Sequence, residues 1–388
     1  MRIKNIFIYK PFFVIFLTLV GVGFLVFLSS LFSVLSESKS LFFSILVSQV
    51  GFGLLGGALL AWVLFYIPPK YYEKAAYPLF IISVILCLCV FIPGFGVYHG
   101  GAYRWLNFGF VTFQPGELLK IATILTIAKI YASKKPLIKH AKKDAIGDEK
   151  SYSIELSSWK DMFLPLIMIL GIVAGVFIAQ RDTDNLIIVA SSLTMMYFVW
   201  GAPIKHFVAL IVAACASLAI LVKQRPYIME RIKTFRNADI DPLGASYQVK
   251  QSLIAVGSGG FFGKGYGMSI QKFSYLPEPL GDSIFAVIGE EFGFVGTVSI
   301  LVIFILFLYF GLRQLRFVHG NFERLVIIGV ITGIVMQAFL NIGSVIQVFP
   351  MAGNALPFVS QGGSALFLHI ASIGIVLGLV SHNARGKI

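Results

Sequence analysis

Long apolar stretches separated by short polar segments make up most of this chain. A helix needs about 20 apolar residues to cross the hydrocarbon core of a bilayer, and the alternating short segments typical of a membrane β-barrel are not visible. The pattern therefore predicts an all-α polytopic membrane protein with about ten spans. We place them at 11–35, 43–67, 78–95, 115–132, 162–179, 185–200, 204–222, 283–312, 325–346 and 364–381.

Two longer polar segments interrupt this pattern. Residues 133–161 are polar and mixed in charge, and the order of spans makes them a cytoplasmic loop. Residues 223–282 lie between the seventh and eighth spans and form a large extracytoplasmic loop. Residues 133–161 are poor in apolar periodicity, and we see neither a separate soluble domain nor an internal repeat in the chain. We therefore treat 1–388 as a single membrane domain.

Composition supports this class. The 388 residues are 57% hydrophobic and 13% charged, with a mean hydropathy of +0.87, whereas soluble domains are about a quarter charged. Cys87, Cys89 and Cys215 all fall in apolar runs without metal-ligand companions, so we expect core residues and no metal site. The first apolar run is longer than the hydrophobic region of a cleavable signal and is expected to remain a span.

The net charge of +13 could suggest nucleic-acid binding. The basic residues, however, concentrate in loops on one side of the predicted spans, which is the positive-inside pattern of membrane proteins. Attraction to anionic lipid explains the remaining excess. We therefore expect no nucleic-acid partner, and both termini in the cytoplasm.

Residues 247–296 are glycine-rich, polar and charged, and they contain Asp282 just before an apolar helix. We take Asp282 as the candidate reactive group. Glu290 and Glu291 follow on that helix, about 100° apart, and need a partner or water; contacts that hold the bundle together are the plainer explanation. The glycines at 257–267 match no phosphate-loop spacing, although Lys264 among them could meet a diphosphate.

Other polar residues have two readings each. Glu117 and Lys120, three apart in one predicted span, either neutralise each other or contact substrate. Arg231 belongs to an amphipathic segment, 226–237, which either anchors to headgroups or guides an anionic lipid-linked substrate. The turn of Arg181, Asp182 and Asp184 is either a solvated helix end or part of a site.

Two uncharged or weakly charged segments are too irregular to span. Residues 94–116 suggest an interfacial or re-entrant segment. Residues 341–365 contain prolines and glycines and are expected to line the far wall of an outward-facing cavity. Ser360 and Ser364 are candidate hydrogen-bonding residues there, and not nucleophiles, because no His–carboxylate pair accompanies them.

Four stretches in this order resemble the SEDS family (shape, elongation, division and sporulation), the group of RodA and FtsW. With the spans they cover nearly the whole chain, and together they are specific. They are GAYRWLNFGFVTFQPGELLKIA (101–122), RIKTFRNADIDPLGASYQVKQSLIAVGSGGFFGKG (231–265), SYLPEPLGDSIFAVIGEEFGFVG (274–296) and NIGSVIQVFPMAGNALPFVSQGGSALF (341–367).

The resemblance implies a peptidoglycan glycosyltransferase that polymerises lipid II in the bacterial inner membrane beside a class B penicillin-binding transpeptidase. The family's catalytic carboxylate, in L-P-E-x-x-x-D-F-I-F-A, lands on Asp282, with Glu278 as the glutamate of the motif. Its Q-P-S-E-L-x-K lands on Gln114, Pro115, Glu117 and Lys120. The run before Asp282 is more similar to FtsW than to RodA.

Several positions depart from the family pattern. Gly116 stands where Ser is usual, Leu280 and Gly281 replace His-Thr, Ser283 replaces Phe, and Gln361 replaces Tyr. The family's Q-P-D-L-G-T reads QRDTDN at 180–185, which keeps the acid of Asp182 and loses the glycine. These departures affect the details of substrate binding and leave the carboxylate in place.

The expected chemistry needs a base for the acceptor hydroxyl and cations for the leaving diphosphate. We predict Asp282 as the base, with Lys250, Lys264 and Arg231 near the diphosphate and Glu117, Lys120, Glu278 and Ser360 as further substrate-binding residues. No cofactor is predicted, and a role for a divalent cation, Mg²⁺ or Mn²⁺, is left open. Three alternatives stay open: a lipid-precursor flippase, a non-catalytic scaffold for the transpeptidase, and Asp282 as a helix N-cap.

Overall fold

The computed structural model describes residues 2–35, 38–109, 111–134, 159–202, 204–224, 226–236, 245–273 and 275–385. The expected cytoplasmic loop at 133–161 lies almost entirely outside these residues, as does the part of the 223–282 segment at 237–244. The α-helices in chain order are α1 Arg2–Leu35, α2 Lys39–Leu46, α3 Gly57–Tyr66, α4 Pro69–Cys89, α5 Pro115–Ala132, α6 Trp159–Ala179, α7 Thr183–Val199, α8 Ile204–Gln224, α9 Pro226–Arg236, α10 Ala245–Ser258, α11 Ile284–Arg313, α12 Asn321–Val345 and α13 Gly363–Arg385.

Each of the ten predicted spans falls on a helix or on one continuous helical run. Among the described residues, six runs are long and apolar enough to cross a membrane by themselves: Lys10–Leu35, Lys39–Tyr66, Pro69–Cys89, Ile284–Phe317, Asn321–Val345 and Gly363–Ala384. The other four predicted spans match α5, α6, α7 and α8, which are shorter or carry more charge. The chain is thus a multi-pass helical membrane protein, and ten crossings remain a prediction.

A π-helix, Val47–Gly56, joins α2 to α3 without a break. This continuous run packs closely along α13 because glycines lie at the contacts. A Cβ on Gly57 would come within 3.1 Å of the backbone of Phe367, and one on Gly374 would lie 2.5 Å from Ala61. Such small-residue contacts let helix backbones approach where no hydrophobic effect operates between helices. Rare π-helical geometry is frequent near functional sites, and Ser48 and Gln49 in this one reach the cavity region described below.

The segment 94–116, expected to be too irregular to span, contains the strands of this fold. It forms a small antiparallel sheet of β1 Gly96–His99, β2 Ala102–Asn107 and β3 Thr112–Phe113, in the order β1-β2-β3. The turn at Gly100 and Gly101 has φ of +56° and +79° at its two glycines, a conformation that glycine adopts without strain and that suits a tight hairpin. The fold is therefore not purely α-helical, since pairing between strands satisfies a backbone that cannot span.

The two acidic residues of α11 have partners, as their burial demands. Glu290 accepts from Lys264 Nζ at 2.7 Å and from Ser269 Oγ at 2.5 Å, and Glu291 accepts from Lys272 Nζ at 2.6 Å and from Ser29 Oγ at 2.6 Å. Both carboxylates are fully buried. The prediction that they hold the bundle together is supported by these contacts.

Candidate active site

A polar cavity of about 680 Å³ lies at one end of the helix bundle. Its walls come from the β-hairpin, the N-terminal ends of α5 and α13, α9, the turn before α11 and the segment 351–355 before α13. Charged side chains that line it are His99, Arg104, Glu117, Arg231, Glu278 and Asp282. Residues from the segments 94–116, 223–282 and 341–365 therefore meet around one space.

Asp282 lies in a tight turn immediately before α11. The carbonyl of Glu278 accepts from the N–H groups of Gly281 at 3.1 Å and Ser283 at 3.2 Å, and Glu278 itself has φ of +50°. Residues other than glycine rarely adopt this region, and such strain concentrates at functional sites. Ser283, not Asp282, is the N-cap residue of α11, and it makes no side-chain cap. The N-cap alternative for Asp282 is therefore wrong.

Buried polar side chains hold this turn from below. Asn341 Nδ2 on α12 donates to the carbonyl of Asp282 at 2.8 Å, and Ser360 Oγ donates to the carbonyl of Gly281 at 2.8 Å. Gln49 in turn holds the segment that follows Ser360, because its Oε1 accepts from Gly362 N at 2.9 Å. Ser360 was predicted to bind substrate; here it positions the backbone next to Asp282 and does not line the cavity.

Arg231 and Asp184 face Asp282 across Gly353. Arg231 Nη1 donates to Asp184 Oδ1 at 3.1 Å, and Gly353 N donates to Asp184 Oδ2 at 2.8 Å. A Cβ added to Gly353 would lie 3.4 Å from Asp282 Oδ2, 3.6 Å from Arg231 Nη2 and 3.7 Å from Asp184 Oδ2. One small space therefore borders two carboxylates and a guanidinium, and the missing side chain of Gly353 keeps it open.

Asp182 lies close enough to Arg104 and Asp184 for its carboxyl group to interact with both charges. Asp182 caps α7: its Oδ1 accepts from Asn185 N at 3.3 Å and its Oδ2 from Asn185 Nδ2 at 2.9 Å. Burial raises the pKa of Asp182, against the opposing charge of Arg104. Arg104 Nη2 donates to the carbonyl of Arg181. Asp182 and Asp184 are both buried, so the reading of this turn as a solvated helix end is wrong.

The environment of Asp282 changes its acidity. Burial raises the pKa of Asp282 to about 7, with further increases from the negative charges of Glu278 and Asp184, while Arg104 and Arg231 lower it. A general base works best with a pKa near the working pH, because it must be ionised and still basic enough to accept a proton. Strong perturbation by burial and charge in a cavity is typical of functional carboxylates.

Glu117 and Lys120 form the ion pair that the first of the two readings predicted. Lys120 Nζ lies 2.8 Å from Glu117 Oε1 and donates to Gln337 Oε1 at 2.7 Å, and His369 Nε2 lies 3.4 Å from Glu117 Oε2. Glu117 lines the large cavity, whereas Lys120 lines only a small chamber of about 30 Å³ beneath it. Gln337 Nε2 continues the network to the carbonyl of Ala355 at 3.0 Å, so this cluster supports the cavity wall.

Two predicted diphosphate ligands do not reach this space. Lys264 is occupied by Glu290 through a 2.7 Å ion pair, and neither Lys264 nor Lys250, which is exposed on α10, lines the cavity. Their assignment beside Asp282 is therefore corrected. Arg104 lines the cavity instead. The sequence indicated only that its segment is interfacial. Its position in the GAYRWLN motif was the signal that could have identified it. Asp184 was likewise noted but not assigned to the site.

Nothing in the described part of the chain forms a group of three or more His, Cys, Asp or Glu side chains able to hold a metal ion.

Glu278 at the mouth of the cavity is 4.0 Å from His99 Nε2 of β1, and both side chains are mostly exposed. The cavity is therefore lined by the carboxylates of Glu117, Glu278 and Asp282 and by the guanidinium groups of Arg104 and Arg231.

The fold and the site together define a multi-pass membrane protein with a carboxylate-based cavity at one end of its helices. The family model described as cell cycle protein, which covers FtsW, RodA and SpoVE, matches residues 10–385. The chain belongs to this family, as the four sequence motifs predicted.

Individual relatives support the assignment over most of the chain. Stage V sporulation protein E of Bacillus subtilis (strain 168) is 36% identical over 304 residues, which are 78% of this chain and 77% of that protein. A probable peptidoglycan glycosyltransferase FtsW of Thiomicrospira cyclica is 37% identical over 349 residues, 86% of this chain and 85% of the relative.

A solved structure also matches the fold. It is described as "Structural coordination of polymerization and crosslinking by a peptidoglycan synthase complex" and gives a TM-score of 0.73 at 27% identity, covering 97% of this chain and 96% of that one.

Proposed function

We propose that this protein is a peptidoglycan glycosyltransferase that polymerises lipid II into glycan strands, with Asp282 as the general base. The observation that carries the proposal is the position of Asp282, partly buried at the wall of a 680 Å³ cavity and facing Arg231 across Gly353. Family membership and relatives named peptidoglycan glycosyltransferase support the substrate class.

The residues fit a single displacement step. Asp282 accepts the proton from the acceptor sugar hydroxyl as its oxygen attacks the anomeric carbon of the donor. The bond between that carbon and the diphosphate breaks, and the lipid diphosphate leaves with the electron pair. Arg231 and Arg104 would stabilise the charge on the departing oxygens, which is where preorganised cations act most strongly. Arg231 is held in place for this by Asp184.

Asp282→Asn tests the assignment, because asparagine keeps the shape and cannot accept the proton. We expect polymer formation from lipid II by the purified protein with its transpeptidase partner to fall about 10²–10⁴-fold, the usual contribution of a positioned base. Glu73→Gln is the matched control, since Glu73 is an exposed carboxylate on α4. Polymerisation by Asp282→Asn at the wild-type rate, with Glu73→Gln unchanged, would remove Asp282 from this role.

The same experiment separates the two alternatives. A flippase would move labelled lipid II across reconstituted vesicles without making polymer and would not need a base. A scaffold would tolerate Asp282→Asn and fail only when its contacts with the transpeptidase are deleted. The raised pKa of Asp282 favours the enzyme, because neither alternative requires a basic carboxylate in the cavity.

Setting and partner follow from the same proposal. We place the protein in the bacterial inner membrane with both termini cytoplasmic, beside a class B penicillin-binding transpeptidase, because the matching solved structure describes polymerisation and crosslinking in one complex. An FtsW-like role in division fits the relatives named FtsW. The part of the chain that the structure describes contains no group of three or more His, Cys, Asp or Glu side chains to hold Mg²⁺ or Mn²⁺, and a role for a divalent cation stays a prediction.

A further inference from the structure

The glycine-rich loop 259–273, between α10 and α11, lies deep along two membrane helices. Tyr266 Oη donates to the carbonyl of Leu25 at 2.9 Å, and Lys272 Nζ donates to Ser29 Oγ at 2.9 Å. Leu25 is ten residues before the end of α1 at Leu35, which is about 15 Å at 1.5 Å per residue. These contacts place the extracytoplasmic loop well below the end of α1.

The contacts with α11 give the same depth. Gly260 and Phe261 accept through their carbonyls from Phe294 N at 2.9 Å and Val295 N at 3.1 Å. Phe294 is the eleventh residue of α11, again about 15 Å from the start of that helix. A bilayer core is about 30 Å thick. Both helices therefore place the loop about 15 Å below the interface, which is half the thickness of the core.

The loop satisfies its own polar groups as a segment in hydrocarbon must. Gly293 has φ of +63° and interrupts α11, which frees backbone groups for the loop. Lys264 N and Gly265 N donate to the carbonyls of Glu290 and Glu291, each at 3.0 Å. The charges are paired as well, by the Lys264–Glu290 and Lys272–Glu291 contacts.

Its outer face is apolar and uncovered. Phe262 is 78% exposed, and Phe261, Met268, Ile270 and Phe294 are each more than half exposed. This patch continues into the exposed apolar face of α11, which includes Val302 and Ile305. Large aromatic side chains with this exposure in water would be costly, whereas at the depth given by α1 and α11 the adjacent medium is lipid.

We propose that α10 and residues 259–273 form a re-entrant half-span whose aromatic tip contacts lipid acyl chains in the leaflet on the side of Asp282. Because the return arm, 275–283, carries Asp282 at its upper end, the half-span also fixes the height of the carboxylate relative to the bilayer. The contact surface consists of Phe261, Phe262, Met268, Ile270 and Phe294.

Site-directed spin labelling tests this directly. The three native cysteines are replaced by alanine, and single cysteines at Phe262, Ile305 and Tyr98 are labelled with a nitroxide in proteoliposomes that contain this chain alone. Ile305 is the lipid-facing reference on α11, and Tyr98 is the exposed reference on the β-hairpin. Variants that retain lipid II polymerisation with the partner added are taken forward.

We expect the label at Phe262 to behave like that at Ile305, with collision by dissolved oxygen several-fold above collision by a water-soluble nickel chelate. A label at Phe262 that meets the nickel chelate as readily as the one at Tyr98 would overturn the proposal. A label shielded from both reagents would also overturn it, since protein rather than lipid would then cover the loop.

Discussion

Arg231 Nη1 lies 3.1 Å from Asp184 Oδ1, so a residue of the long polar segment is fixed to the first turn of α7. The pair shares Gly353 with Asp282: Gly353 N donates to Asp184, and the open side of this glycine faces all three charged groups. The relationship explains how a cationic side chain remains next to the reactive carboxylate without neutralising it. Arg231 forms its ion pair with Asp184, and the pKa of Asp282 stays raised.

The pH dependence of polymerisation follows from that pKa. Asp282 must be ionised to act as a base, and its pKa is raised to about 7. The rate at limiting lipid II should therefore rise from pH 5.5 to 8 with a midpoint near 7 and then level off. Since Arg231 lowers this pKa, Arg231→Gln should move the midpoint to higher pH. A flat profile over this range, measured with gel-resolved polymer, would contradict the assignment.

The free energy of unfolding should fall as pH rises, whereas the rate of polymerisation should increase. A carboxyl whose folded pKa lies above its unfolded value of 3.8 costs stability as pH rises through the folded pKa. Asp282→Asn removes this cost, so the variant should melt at a higher temperature than the wild type at pH 8 and show little gain at pH 4. Thermal melting in detergent at both pH values measures it. Equal gains at the two pH values would show that ionisation is not the cause.

Arg231 should matter for the diphosphate. A hydrogen bond to a charged group contributes roughly 1.5–3 kcal/mol, so Arg231→Gln should lower the rate at limiting lipid II about 10–100-fold. Arg231→Lys should recover only part of this, because an ammonium cannot contact Asp184 and a phosphate with the same planar geometry. If inorganic diphosphate inhibits the wild type and Arg231→Gln equally, Arg231 does not bind that group.

Gly353→Ala tests the small space beside Asp282. The added methyl group would lie 3.4 Å from Asp282 Oδ2, a tolerated contact that nevertheless fills the space and desolvates the carboxylate. We expect a folded protein with at least about tenfold lower activity and a pH midpoint above that of the wild type. Gly362→Ala is the matched control, because its Cβ would meet only Ala365, at 3.5 Å. Equal losses in the two variants would mean that cavity volume, and not the neighbourhood of Asp282, is responsible.

Lys264 should contribute to stability and not to substrate binding. Lys264→Met leaves the buried Glu290 without its cation, and we expect a loss of about 1–3 kcal/mol, reduced because a third of Lys264 is exposed. The double variant with Glu290→Gln should recover part of the stability and the polymerisation. Thermal melting and polymer yield measured on all four forms give the coupling. Lost activity in a normally stable Lys264→Met protein would restore Lys264 as a ligand.

The sequence by itself determined the helical membrane class, the approximate positions of the apolar helices and the place of Asp282 just before one of them. These depend on local features: apolar length, charge position and motif order are all visible along the chain. The amphipathic segment that forms α9 and the pairing of Glu117 with Lys120 were accessible for the same reason, since a helix places residues three apart on one face.

Only the tertiary structure decided which cations meet Asp282. Lys264 was a predicted ligand and Arg104 was not, and contacts between distant segments reversed this: Glu290 pairs with the lysine, and the hairpin brings the arginine to the cavity. Contacts between distant segments likewise decided the small sheet, the burial of Asp184 and the depth of the 259–273 loop. Partner choice for a buried charge depends on which groups the packed helices bring within a few ångströms, and residue spacing along one chain does not contain that information.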